Sequence, residues 1–385
     1  MKKIAIDMST VVHGTRAVSN CTDCIVRELI KNEDIEFNLL YFDYKFQTKK
    51  YLKPIENQCR VRVIPLPYSL LIPAWKRFAW PHLEMISPVC DILYVNEFYF
   101  PPTKKTIVLA TIHGLAYKVI PDKILPRLVH SFNQGLSYIL KHADYLIAVS
   151  ETTKRELVSH AGVAPERVYV VTHGLDKKYR KKENIKEVWG RLKKLYGLER
   201  PYILYVGAIG LHKNIMGILT AFERLYPKIS HDLIMAGPPD SAWDSAHQFV
   251  NTHKLSRRVF FLGHIYEIES LTDLYNGADL FVFPSFYEGW TSPPLEAMAC
   301  GTPVITSNCS SLPETVGDAA IKVDPDNSKD LANAMQRVLS NKALKSELIN
   351  KGLRHSALHT WENSAQKLTE VFEDIISRGP WKGKK

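Results

Sequence analysis

Residues 280–307 read LFVFPSFYEGWTSPPLEAMACGTPVITS. LFVF is the short apolar run of a strand buried on both faces. The strand ends at Ser285, and Glu288 lies in the loop beyond it. Pro293 and Pro294 suit the first turn of a helix, where missing N–H groups cost little. Glu296 follows in that turn, with Leu295, Met298 and Ala299 on packing faces, and the apolar run PVITS comes next. Strand, helix and strand in such quick succession predict a parallel sheet with helices over its faces.

The same alternation runs along most of the chain. KIAIDM, FNLLYF, RVRVIPL, DILYV, KTIVLATI, DYLIAVS and RVYVVTHG form a first series, and YILYVGAI, DLIMAG, VFFLG, LFVFPS, PVITS and AIKVD a second. With 385 residues, at ~100–200 residues per domain, two doubly wound α/β domains are expected. We place one at 1–176 and the other at 201–361, joined by a basic linker at 177–200. A C-terminal helix and tail, 362–385, is placed so that it can cross back to the first domain.

The formal charge of +10 is uneven: residues 1–175 carry +6, 176–200 carry +6 and 201–385 carry −2. No aromatic-basic face sits within a recognised nucleic-acid motif, so charge alone does not make this a nucleic-acid binder. No apolar run approaches the ~20 residues of a membrane span. Cys21 and Cys24 form an isolated CxxC among six cysteines, which fits free thiols in a reducing, cytoplasmic setting.

In open parallel sheets ligands bind beyond the carboxyl ends of strands. GxGxxG is absent after the first strand, where the loop reads TVVHGTRAVSNCTD with Gly14 as its one glycine, so nicotinamide chemistry loses its main support. Glu288 and Glu296, eight apart, could both face a strand-end crevice, where the free N–H groups of the helix start would meet a diphosphate. A carboxylate there accepts two hydrogen bonds from a vicinal diol. Lys213 follows another strand and opens a helix at Asn214, placed for charge-assisted bonds to phosphate oxygens.

The run PSFYEGWTSPPLEAMACGTPVITSNCSSLPETVGDAAIKVDPD resembles the Glu-x7-Glu signature of the family 4 retaining glycosyltransferases, and YVGAIGLHKN at 205–214, ATIHGLAYKVIPD at 110–122, ADYLIAVSETTK at 143–154 and VTHGLD at 171–176 resemble other motifs of the same family. The resemblance covers nearly all of residues 90–375 and is nearest to mannosyltransferase-like members. It implies the GT-B fold, two Rossmann-like domains facing across a cleft. Carried over residue by residue, it implies that Glu296 holds the donor ribose, that Glu288 contacts the donor sugar and that Lys213 contacts the diphosphate. It further implies donor contacts from Thr291, Ser292, Leu295, Gly207, His212 and the backbone of Gly263, His264 and Ile265. His113 and Gly14 fall on the acceptor side, with His113 beside the reacting centre together with Glu288 and Lys213. The implied reaction moves a hexose, mannose from GDP-mannose by best fit, from a nucleotide sugar to a saccharide or lipid-linked saccharide. It needs no cofactor and no metal.

The chain departs from the family's pattern in three respects. Gly114 stands where an Asp usually follows the histidine, Ala208 and His212 stand where a second cation is usual, and the normally glycine-rich first loop reads HGTRAVSNCTDC. A non-catalytic nucleotide-sugar binder of the same fold is therefore an alternative reading, with a GT-B epimerase or a nucleic-acid-binding protein further off. Asp324-Pro325-Asp326 spells a DxD but reads as a turn. YSLLIPAWKRFAWPHLEMI, 68–86, interleaves Trp75, Phe78 and Trp80 with Lys76 and Arg77. That is the pattern of an element lying on an anionic membrane surface at the inner face, or of an amphipathic helix closing the first domain.

Overall fold

The computed structural model describes residues 1–13, 16–43 and 59–383. Two compact units result: residues 1–118, 126–174 and 361–385 form the first, and 119–125 with 175–360 the second. All thirteen apolar runs are strands. The first unit holds β1 (Lys2–Asp7), β2 (Ile35–Phe42), β3 (Arg60–Ile64), β4 (Ile92–Val95), β5 (Ile107–Ile112), β6 (Tyr145–Ala148) and β7 (Val168–Val170). The second holds β8 (Tyr202–Val206), β9 (Asp232–Ala236), β10 (Val259–Gly263), β11 (Leu280–Phe283), β12 (Val304–Ser307) and β13 (Ala320–Val323).

Every strand pairing is parallel. The sheet orders are β3-β2-β1-β4-β5-β6-β7 and β10-β9-β8-β11-β12-β13. Both orders reverse direction once, between β1 and β4 and between β8 and β11. A crevice opens at such a switch because the connections on its two sides leave toward opposite faces. Helices cover both faces: Ile4 and Ile6 enter one core layer of the first unit while Ala5, between them, enters the other. That is why these strands read as continuous apolar runs.

The stretch read as a linker lies within the second unit. Its helix, Ile185–Tyr196, starts at an Asn184 side chain that accepts the Glu187 N–H and ends at Gly197 in the left-handed conformation. Val188 and Leu192 are fully buried. The nearly buried Asp273 carboxylate accepts from Lys182 Nζ at 2.7 Å, Arg191 Nε at 2.6 Å and Arg191 Nη2 at 2.9 Å. Two of the stretch's cations are thus bound to an internal anion, and its charge density did not signal a solvated connector.

In the 68–86 segment the residues divide differently from their sequence pattern. Trp75 is a core residue, packed edge-on against Phe42 and Tyr68 with ring centroids 5.5 Å away in each case. Leu70, Phe78, Trp80, Met85 and nearby Val89 are exposed instead.

The terminal helix, Trp361–Arg378, belongs to the first unit and lies against the helix Arg16–Leu29. Ala365, Leu368, Val371, Phe372 and Ile375 are its buried stripe, at the spacing of one helical face. Phe372 meets the Tyr94 ring edge-on at 5.9 Å. Phe372→Ala should therefore destabilise the first unit by about 3–5 kcal/mol. Lys367→Ala, on the exposed side, should stay within about 0.5 kcal/mol. Urea unfolding followed by circular dichroism compares the two.

Candidate functional site

At the β8/β11 switch the second unit builds its site from loops. Gly207, Gly237 and Gly263 follow or end three adjacent strands, and the Gly207 N–H donates to the Ala236 carbonyl at 2.9 Å and that of Gly237 to Gly263 at 2.7 Å. A Cβ on Gly237 would sit 1.8 Å from the Gly207 carbonyl oxygen, so only glycine allows this approach. Gly237 is a site residue that the sequence reading missed, although AGPPD directly after β9 was the signal.

Beyond Gly207 the chain makes a 3-10 turn, Leu211–Lys213. Asn214 then adopts φ 58 and caps the helix Ile215–Leu225. Its side chain accepts the Gly217 N–H and donates to the Pro325 carbonyl at 2.6 Å. The Asp324–Asp326 segment is a turn in which Asp324 accepts the Asp326 N–H at 3.0 Å, and through Pro325 it braces the residue next to Lys213. The Phe286 N–H donates to the His212 carbonyl at 2.9 Å, joining the loop after β11 to the loop after β8.

That bond brings Lys213 and Glu288 together. Lys213 Nζ donates to Glu288 Oε1 at 2.7 Å and Oε2 at 2.9 Å and lies 5.3 Å from the centre of the Phe283 ring. The side chains are only 15% and 9% exposed, so the pair is screened little by water. The Glu288 backbone is held by two hydroxyls that the sequence reading missed. Its carbonyl accepts from Ser310 Oγ at 2.6 Å and Ser311 Oγ at 2.8 Å. Burial and the Lys213 charge hold the His212 imidazole below its usual pKa, so it adds no second cation at neutral pH.

Glu296 sits on the helix Pro293–Ala299. Burial pushes its pKa up, against hydrogen bonds that favour the carboxylate: Ser292 Oγ donates to Oε1 and the Tyr275 hydroxyl to Oε2, each at 2.7 Å. Tyr275, from the helix Ile268–Gly277, is another residue missed, because an apolar helix face gives no hint of a hydroxyl partner. The helix start offers less than its sequence promised. Pro293 and Pro294 have no N–H and the Glu296 N–H bonds the Ser292 carbonyl at 2.8 Å, which leaves the Leu295 N–H as the first-turn donor. Leu295's side chain and Thr291 are buried. Ile265 packs partly on the core, and the His264 ring meets Tyr266 edge-on at 4.6 Å.

In the first unit, His113 follows β5 and lines a small cavity with Cys21, Thr22, Tyr94, Asn96 and His173. Among the described residues, the buried Nε2 of His113, Nδ2 of Asn96 and Oγ1 of Thr22 have no hydrogen-bond partner. Thr111 Oγ1 donates to the Tyr94 hydroxyl at 3.0 Å, which donates to Asn96 Oδ1 at 3.2 Å. Cys21 Sγ lies 3.4 Å from His173 Nδ1, and the His173 ring stacks 5.8 Å from Trp361. Gly114, in place of the expected Asp, has φ 134; Gly14 lies outside the described residues.

Two family models match the chain: one described as Glycosyltransferase Family 4 over residues 22–179, the other as Glycosyl transferases group 1 over 191–355. An O-antigen chain mannosyltransferase B of Escherichia coli is 27% identical over 308 residues, covering 80% of this chain and 79% of the relative. The serotype-specific mannosyltransferase WbdA of Escherichia coli is 29% identical over 96% of this chain. This chain spans only 45% of WbdA's length. Among solved structures, Anabaena HepE in complex with UDP-glucose superposes with a TM-score of 0.73 at 16% identity, over 97% of this chain and all of the other. That likeness establishes the shared two-lobed fold.

Burial lowers the pKa of His113 to about 4 and, with His113 adding to the effect, that of His173 to about 3. Between these values and the ordinary 6.5 the unfolded chain binds more protons than the folded one, so this stability is full above pH 6.5 and is lost as pH falls toward about 4 for His113 and about 3 for His173. The thermal midpoint of the first unit should decline over that window, and the double variant His113→Gln/His173→Gln should flatten the decline. An equal slope in both proteins would assign the loss to other groups.

Proposed function

We propose, for a chain that belongs to the family 4 glycosyltransferases of GT-B fold, that it transfers mannose from GDP-mannose to a saccharide or lipid-linked saccharide, with retention at the anomeric carbon. The observation that carries this reading is the buried Lys213–Glu288 pair at the β8/β11 switch, beside the Glu296 carboxylate that Tyr275 and Ser292 orient. The mannosyl donor and a place in surface polysaccharide synthesis draw on the O-antigen mannosyltransferases of Escherichia coli.

In this reading Glu296 accepts the ribose hydroxyls, Glu288 accepts hydroxyls of the donor sugar, and Lys213 meets the diphosphate. The bond from the anomeric carbon to the β-phosphate oxygen breaks, and a bond to the acceptor oxygen forms on the same face. The acceptor's proton passes to the departing phosphate oxygen, while Lys213 neutralises charge that grows in the transition state. His113, kept neutral by burial, offers an uncharged imidazole to hydroxyl groups. The chain's own residues supply these roles without a resident metal or cofactor.

Ranking GDP, UDP and dTDP by thermal shift tests the nucleotide, and transfer from GDP-mannose with the anomer read by NMR tests the chemistry. Lys213→Ala should lose the nucleotide-dependent shift and lower transfer by at least about a hundredfold, the loss of ~2.7 kcal/mol of charge stabilisation. EDTA should leave the rate unchanged. Stabilisation by a nucleotide sugar without transfer or hydrolysis would favour the non-catalytic alternative.

No described helix is long and apolar enough to cross a membrane. The exposed Leu70, Phe78, Trp80, Met85 and Val89 beside Lys76 and Arg77 support a peripheral position on an anionic inner membrane face. Phe78→Ser/Trp80→Ser should abolish co-sedimentation with vesicles containing phosphatidylglycerol. Trp75 must be left intact, because it is core. Unchanged sedimentation of the double variant would remove this face from the membrane reading.

A further inference from the structure

We infer that Glu288 is a specificity-determining residue that discriminates intact nucleotide sugar from the spent nucleoside diphosphate, by acting as the counter-anion that a diphosphate must displace from Lys213. The inference rests on the proposed site and extends it to product release.

Three observations meet here. Both Glu288 oxygens accept from the same ammonium, at 2.7 and 2.9 Å, so Lys213 is engaged before any ligand arrives. The pair is about nine-tenths buried on the carboxylate side, and among the described residues no other cation pairs with Glu288. His212, which occupies one of the places where a second cation would stand, is held neutral by burial. The Lys213 charge is therefore already cancelled by Glu288 in the unliganded site.

Consider the exchange of partners. A nucleoside diphosphate that recruits Lys213 strips Glu288 of its ammonium and returns nothing to it. The Glu288 backbone carbonyl is held by Ser310 and Ser311, and its side chain is only 9% exposed. A stranded buried charge of this kind is among the most expensive arrangements a protein can hold. An intact nucleotide sugar makes a double exchange: its diphosphate replaces Glu288 on Lys213, and its sugar hydroxyls replace Lys213 on Glu288. Every buried group ends with a partner. After transfer the hydroxyls leave with the product, Glu288 is stranded again, and re-forming the ion pair drives the diphosphate out.

The test is calorimetric titration of GDP and GDP-mannose into wild type, Glu288→Gln and the double variant Lys213→Met/Glu288→Gln, with UDP and UDP-glucose in parallel. Glu288→Gln keeps an oxygen for sugar hydroxyls and removes the competing charge. It should bind GDP at least about tenfold more tightly, the equivalent of ~1.4 kcal/mol, while its affinity for GDP-mannose changes less than about threefold. The double variant strands no charge, so it tests the idea even if the single variant folds poorly. It should bind both ligands weakly and lose the wild-type ratio of the two affinities. GDP affinity in Glu288→Gln that is unchanged or weaker, or a wild-type ratio retained in the double variant, overturns the inference. Failure of wild type to bind any of the four ligands would instead overturn the proposed donor site.

Discussion

One backbone hydrogen bond, from the Phe286 N–H to the His212 carbonyl, holds the two sides of the second unit's switch point together. Parallel order makes the bond possible. β8 and β11 are neighbours although two strands, β9 and β10, lie between them in the chain, so their following loops emerge side by side. Without that stitch, Lys213 and Glu288, 75 residues apart, would have no reason to share a pocket. The Asn214 cap, braced on Pro325, fixes one loop, and the Ser310 and Ser311 hydroxyls fix the other. The two loops are thus held by hydrogen bonds to their backbone groups.

The fold was legible in the sequence because its signal is local. A strand buried on both faces must be apolar throughout, and thirteen such runs separated by helical patterns leave few arrangements. The charged stretch after residue 176 was less legible. Its lysines and arginines read as solvated, and nothing local showed that Asp273, about ninety residues on, would sit under Lys182 and Arg191. Trp75 illustrates the same limit. Its alternation with basic residues suggested an interface, but the burial of one aromatic and the exposure of its neighbours Phe78 and Trp80 are decided by Phe42 and Tyr68, which come from elsewhere in the chain.

The site divides along the same line. Glu288, Glu296 and Lys213 could be singled out because they lie just past apolar strands, where open parallel sheets bind ligands, and because the stretches around them resemble a family pattern. Gly237, Tyr275, Ser310 and Ser311 were not, because their roles exist only through contacts across the sheet. The helix start offers fewer donors than expected for a local reason: the prolines that mark the helix also remove its first N–H groups, leaving that of Leu295. A start signal and an anion site therefore compete for the same two positions, and in Pro293–Pro294 the start signal won.

Charge economy follows from that loss. With two N–H groups missing, a neutral His212 and no arginine at Ala208, Lys213 carries more of the work of meeting an incoming anion. A buried ammonium without a partner is costly, and in the unliganded site Glu288 supplies that partner. The same carboxylate then stands in the path of any phosphate. Stability of the unliganded pocket and affinity for an anion draw on one pair of atoms, and only a ligand that brings both a phosphate and a set of hydroxyls can satisfy the two demands at once.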